Sequence, residues 1–136
     1  LDDYHLNEGS SWNGDSLQLM FTDASQNTQL ARYNYALDYA GDTIKHHEFG
    51  PAGDTEASII RDEFNKETKY ELAFSTQSLG ITSFTENMSF GVGICVNDGD
   101  TGEYQNGQRG WSGWGPHSIV FGKEPSKTGL VTLVGP

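Results

Sequence analysis

Three tryptophans, Trp12, Trp111 and Trp114, are the side chains of this sequence best suited to binding a ligand. Trp12 opens a turn, and the other two lie in a polar, glycine-rich stretch that we predict to be a loop between two strands. A large apolar indole is rarely left in a wet loop without a function. A flat aromatic ring matches the apolar C–H face of a pyranose. The tryptophans therefore predict stacking against a sugar, although any one of them could instead cover an end of the core.

Polar side chains near these tryptophans could bind the hydroxyl groups of such a sugar. Gln18 and Asn34 lie on two predicted strands, and each alternates with apolar residues. Because successive strand residues point to opposite faces, both amides point away from the apolar face and could line one concave surface. The predicted hydrogen-bonding set is Gln18, Asn34, Asn97 and Arg109.

Acidic residues in turns predict a calcium site. Asp98 and Asp100 supply hard oxygen ligands within a flexible turn, and Asp2 and Asp3 form a second acidic pair. Calcium prefers such oxygen ligands. The turn is not an EF-hand, since Glu103 stands where that loop requires glycine. A merely solvated acidic turn is the alternative for this site.

The sequence contains no recognisable catalytic motif. It has no nucleophile elbow, no HExxH and no P-loop, and its acidic residues do not form a recognisable glycosidase pair. His5 and His117 are isolated, and Cys95, the only cysteine, lies in an apolar strand. We therefore predict a non-catalytic protein.

The charge of the chain limits its partners. Eight Lys and Arg against nineteen Asp and Glu give a net charge of -11. Such a surface repels phosphate backbones and anionic lipids, which predicts no nucleic-acid partner and favours neutral ligands. No apolar run approaches the roughly 20 residues of a membrane span, so membrane insertion is not expected. A length of 136 residues fits one domain covering residues 1–136.

Alternation of apolar and polar residues with period two predicts an all-β protein. Bulky apolar residues at 90, 92, 94 and 96 share one strand face, with Gly91, Gly93 and Cys95 on the other. Residues 41–55 read as a long loop. The predicted strands are residues 16–22, 31–39, 58–62, 69–74, 90–96 and 129–134. At least six short strands separated by turns predict an antiparallel β-sandwich.

Five motifs, taken in order, resemble family 9 carbohydrate-binding modules over nearly the whole chain. They are Trp12-x-Gly14-Asp15-Ser16-Leu17-x-Leu19, Ala31-Arg32-Tyr33, Tyr70-Glu71-Leu72-Ala73, Phe90-Gly91-x-Gly93-x-x-Val96-Asn97-Asp98 and Pro125-Ser126-Lys127-x-Gly129-Leu130-Val131-x-Leu133. The resemblance implies an extracellular, calcium-containing β-sandwich that grips a sugar, or the end of a glucan or xylan chain, between two tryptophans.

The resemblance assigns residues one by one. Trp12 matches the first clamp tryptophan, and Gln18 and Asn34 stand where the family has a glutamate and an arginine. Counting back from the last motif puts the second clamp near Phe121. We nevertheless expect Trp114 in that role, with Trp111 next.

Family members open with strands that have no counterpart here, so the sheet is expected to be incomplete. The rest of a cleaved chain, another copy of this chain or a partner's strand could complete it, or the chain could be a trimmed variant. We predict a secreted module that binds a neutral polysaccharide or oligosaccharide. The alternatives are an assembly subunit whose sheet another chain completes, and a fragment of a larger glycan-degrading enzyme.

Overall fold

The computed structural model describes residues 12, 14–38, 40–99 and 110–135. These residues form an all-β, sandwich-like fold of two antiparallel sheets. The strands are β1 Ser16–Thr22, β2 Gln29–Leu37, β3 Thr43–Phe49, β4 Thr55–Asp62, β5 Glu67–Phe74, β6 Ser89–Asp98, β7 Gly110–Trp114 and β8 Gly129–Thr132. The predicted fold class is therefore confirmed.

The larger sheet is built around β1. Its strand order is β3-β2-β1-β6-β7, and β8 pairs with the other end of β6. Every residue of β1 is buried. This burial follows from its position between two strands and from the covering of both of its faces by other parts of the chain.

One face of the larger sheet packs against the hairpin of β4 and β5. Alternate residues of β1, β2 and β6 supply this face, as the period-two pattern predicted. The rings of Phe21 and Phe74 meet edge-on across the interface, with centroids 5.0 Å apart. The buried members of this core are Leu17, Leu19, Phe21, Ala31, Tyr33, Tyr35, Leu37, Ile59 and Leu79, with Phe90, Val92 and Ile94 of β6 packed against them.

The opposite face of the sheet is covered by residues from the C-terminal part of the chain. Met20, Cys95 and Ile119 form a second buried cluster there. A Cβ atom at Gly93 would collide with the Ser118 hydroxyl. Glycine at this position therefore allows the covering segment to lie directly on β6.

Two sequence predictions of loops are wrong. Residues 43–49 of the predicted long loop form β3, an edge strand that pairs with β2. Trp111 and Trp114 lie in β7, which pairs with β6, and not in a loop. Both strands lack a clear apolar alternation and are mostly exposed. Their conformation is set by hydrogen bonding to a neighbouring strand, which periodicity in one segment does not reveal.

None of the helical segments in the described part of the chain is long and apolar enough to cross a membrane.

Candidate functional site

A small cavity lies on the face of the larger sheet opposite the hairpin. Its volume is about 190 Å³. Its lining consists of Trp12, Gln18, Ile119, Val120, Phe121 and Lys123. The site thus combines one residue that precedes β1, one residue within β1, and the segment that follows β7.

Two exposed aromatic rings line this cavity. Trp12 is 45% exposed and Phe121 is 91% exposed, although such side chains are usually buried. Neither ring is therefore committed to the hydrophobic core, and an aromatic surface remains open to a ligand.

The backbone at Phe121 has an unusual conformation. Its φ of 61° lies in the left-handed region, which costs a non-glycine residue about 1–2 kcal/mol. The flanking chain is fixed by a hydrogen bond that the Glu124 N–H donates to the Ser118 carbonyl, at 3.0 Å. The ring of Trp111 supports Phe121 edge-on at a centroid distance of 6.0 Å. The strained turn therefore projects an aromatic ring outward.

A buried amide pair fixes the polar floor of the cavity. Gln18 pairs in register with Asn34 of β2, as expected for two residues on one face. Asn97 donates through Nδ2 to the Ser16 hydroxyl at 2.9 Å and to Gln18 Oε1 at 3.2 Å. The bond to Asn97 fixes the orientation of the Gln18 amide, whose Nε2 group can donate to a ligand.

Asn34 lies beside this floor and is fully buried. Its Nδ2 donates to Glu48 Oε1 at 3.5 Å, and Arg32 Nε donates to Glu48 Oε2 at 2.5 Å. Asn34 Oδ1 has no hydrogen-bond partner among the described residues. Asn34 is not part of the cavity lining, so the structure gives it a supporting position and not direct access to a ligand.

Lys123 supplies a positive charge to the cavity wall. Its Nζ donates to the Ile119 carbonyl at 2.8 Å. Burial, followed by the nearby Arg32 guanidinium, lowers the pKa of Lys123, while Glu48 and Cys95 act in the opposite direction. Lys123 itself is exposed, so its ammonium is accessible to a ligand.

The other predicted tryptophans lie elsewhere. Trp111 stands opposite Asn97 in the register and meets His117 edge-on at 5.1 Å, which places it behind Phe121. Trp114 stands opposite Ile94, and its ring occupies the space that a Cβ atom on Gly129 would need. Trp114 is 47% exposed, but the structure does not bring it together with Trp12.

The predicted calcium ligands are mostly outside the described residues. Asp98 is exposed at the end of β6, whereas Asp2, Asp3 and Asp100 lie outside the described ranges, as does Arg109 of the predicted sugar contacts. Within the described ranges, no three or more His, Cys, Asp or Glu side chains form a group that could hold a metal ion.

Lys123 was not among the predicted site residues, and Phe121 was only indicated by counting along the resemblance. No periodic pattern marks either residue, because a turn of unusual backbone conformation sets their positions. An aromatic residue directly before Gly122 was the available signal for Phe121.

The fold and the cavity together define an all-β protein with an open aromatic pair above a polar floor. Comparison with other proteins adds no family: no protein-family model matches this sequence, and no curated protein matches it.

Proposed function

We propose that this chain is a non-catalytic carbohydrate-binding module that holds a sugar ring against Trp12 and Phe121. The observation that carries the proposal is the presence of two exposed aromatic rings on one small cavity with an amide in its floor. The rings offer stacking surfaces to the C–H faces of a pyranose, and Gln18 offers a donor to its hydroxyl groups.

The size of the cavity supports recognition of a single sugar unit. Sites for drug-sized ligands usually enclose about 300–1,000 Å³. The cavity here, at about 190 Å³, is smaller and fits one sugar ring better than a long stretch of polymer. This favours the end of a polysaccharide chain, or an oligosaccharide, as the ligand.

The extracellular location and a structural calcium ion belong to the same proposal. Both rest on the sequence resemblance to family 9 carbohydrate-binding modules. Calcium would support the fold, and the aromatic cavity would contact the sugar.

A glycan array tests the proposal, using the wild type with and without EDTA. We expect binding to at least one class of glycan. The Trp12→Ala variant should bind more weakly by more than about 1 kcal/mol, since truncating an aromatic anchor commonly has that effect. Trp114→Ala is the matched control, because Trp114 is similarly exposed but lies away from the cavity. Equal binding by the wild type and Trp12→Ala would refute the role of the cavity.

A second candidate function is that of an assembly subunit. In the described part of the chain, β4 and β5 pair only with each other, so each keeps one edge without a strand neighbour. Unpaired strand edges are sites where another chain can add a strand. Size-exclusion chromatography with mass measurement separates the two functions, because a monomer of 14.9 kDa at high concentration would argue against assembly.

A further inference from the structure

The side-chain groups that line the cavity with Trp12 are hydrogen-bond donors. The indole N–H of Trp12 can only donate, and so can the ammonium of Lys123. Gln18 accepts from Asn97 through Oε1, at 3.2 Å, and its Nε2 group adds a further donor. A sugar hydroxyl both donates and accepts, whereas a carboxylate only accepts, through about four lone-pair positions. Such a lining suits a carboxylate better than a set of hydroxyl groups.

The lining also carries a positive charge, which favours a carboxylate. Lys123 is the one charged side chain among the described lining residues, although the whole chain carries a net charge of -11. Behind the lining, the charges of Arg32 and Glu48 offset each other in a direct ion pair. Among the described lining residues, the Lys123 ammonium is therefore the charge that a bound ligand would meet.

Lys123 is an exposed side chain whose charged form is disfavoured before a ligand binds. Burial and the Arg32 guanidinium lower the pKa of Lys123, so both disfavour the charged ammonium in the empty site. A ligand anion would favour the same ammonium. Distant acidic residues act weakly against this contact, because the Debye length at physiological salt is about 8 Å.

We propose that the sugar unit held at this cavity carries a carboxylate, so the preferred ligand is a glycan with an accessible uronic acid. The inference rests on the proposed carbohydrate-binding function and replaces its expected neutral ligand by an acidic one. Lys123 forms a charge-assisted hydrogen bond to the carboxylate, and Trp12 and Phe121 contact the ring.

Titration calorimetry at physiological salt tests the inference with matched ligands. The probes are oligosaccharides that end in glucuronic or galacturonic acid, each compared with its own methyl ester and with the neutral oligosaccharide of the same linkage. We expect the free acid to bind roughly tenfold more tightly than the ester, as for one charge-assisted hydrogen bond. Lys123→Gln should remove this preference and Lys123→Arg should retain most of it. The control Lys127→Gln removes an exposed lysine of the following turn and should leave the preference unchanged.

The outcomes separate the two proposals. Equal binding of acid and ester by the wild type, or tighter binding of the neutral form, would overturn the acidic ligand and leave sugar binding intact. An acid preference that persists in a folded Lys123→Gln variant would overturn the role of Lys123. If none of the glycans, acidic or neutral, binds in a manner that depends on Trp12, the proposed function fails together with the inference. Thermal unfolding of each variant reports whether the fold is kept.

Discussion

Replacement of Phe121 by glycine should separate binding from folding. The left-handed backbone at Phe121 costs a non-glycine residue about 1–2 kcal/mol, which glycine removes. Against this gain, glycine lowers the free energy of unfolding by about 0.5–1 kcal/mol, because it gives the unfolded chain more conformational freedom. Loss of the edge-on contact with Trp111 lowers stability by about 0.5–1.5 kcal/mol. The rest of the Phe121 ring is exposed, so its removal adds little to this loss. These contributions nearly cancel, so we expect the free energy of unfolding to change by less than about 1 kcal/mol.

The same substitution should strongly weaken sugar binding. It removes one aromatic wall of the cavity, and loss of a central aromatic contact commonly reduces binding by about 2 kcal/mol. That value corresponds to a roughly thirtyfold larger dissociation constant. Calorimetric titration measures binding, and urea denaturation measures stability on the same preparation.

Phe64→Gly is the control for this experiment. Phe64 is similarly exposed, but it lies in the turn between β4 and β5, outside the cavity. It should bind sugar as the wild type does. The reasoning is refuted if Phe121→Gly binds as tightly as the wild type. A stability loss above about 2 kcal/mol would instead show that the ring supports the fold.

Three further predictions concern the scaffold. Gly91→Ala would force a Cβ against the hydroxyls of Thr22 and Thr128, so denaturation should show a loss of about 1–3 kcal/mol; an unchanged midpoint would contradict this packing. Burial raises the pKa of Cys95 to about 11, so a thiol reagent at pH 8 should label native protein far more slowly than unfolded protein. Hydrogen bonds, first from the Ser25 hydroxyl, lower the pKa of Asp23 when folded. This stabilisation is complete above the unfolded pKa and is lost as pH falls through the lower folded pKa, so Asp23→Asn should flatten the stability profile below about pH 4.

The central strands could be predicted from the sequence because their two faces differ in polarity. The strand Ser16–Thr22 was predicted with its observed bounds, and the shared face of Gln18 and Asn34 is confirmed by their register. The same alternation cannot predict edge strands such as Thr43–Phe49, where few residues are buried and hydrogen bonding to β2 decides the conformation. Periodicity identifies the face on which a residue lies but does not show what covers that face. The burial of Asn34, which is too deep for a direct sugar contact, could therefore not be predicted.

The site was only partly predictable for a related reason. Trp12 lies in the predicted turn before the strand at residues 16–22, Gln18 lies in that strand, and both line the cavity. The second aromatic residue depends on the left-handed backbone at Phe121, and neither residue type nor spacing encodes that conformation plainly. Trp114 was the expected second clamp because tryptophan is the stronger sequence signal. Its place beside Gly129, away from Trp12, follows from the pairing of β7 and β8 with β6.

The most direct test of the account is a crystal structure of the chain with an oligosaccharide identified on the glycan array. The account predicts one sugar ring against both Trp12 and Phe121, with Gln18 Nε2 hydrogen-bonded to it. A sugar bound over Trp114 or on another surface, with the cavity beside Trp12 free of ligand, would contradict the central claim.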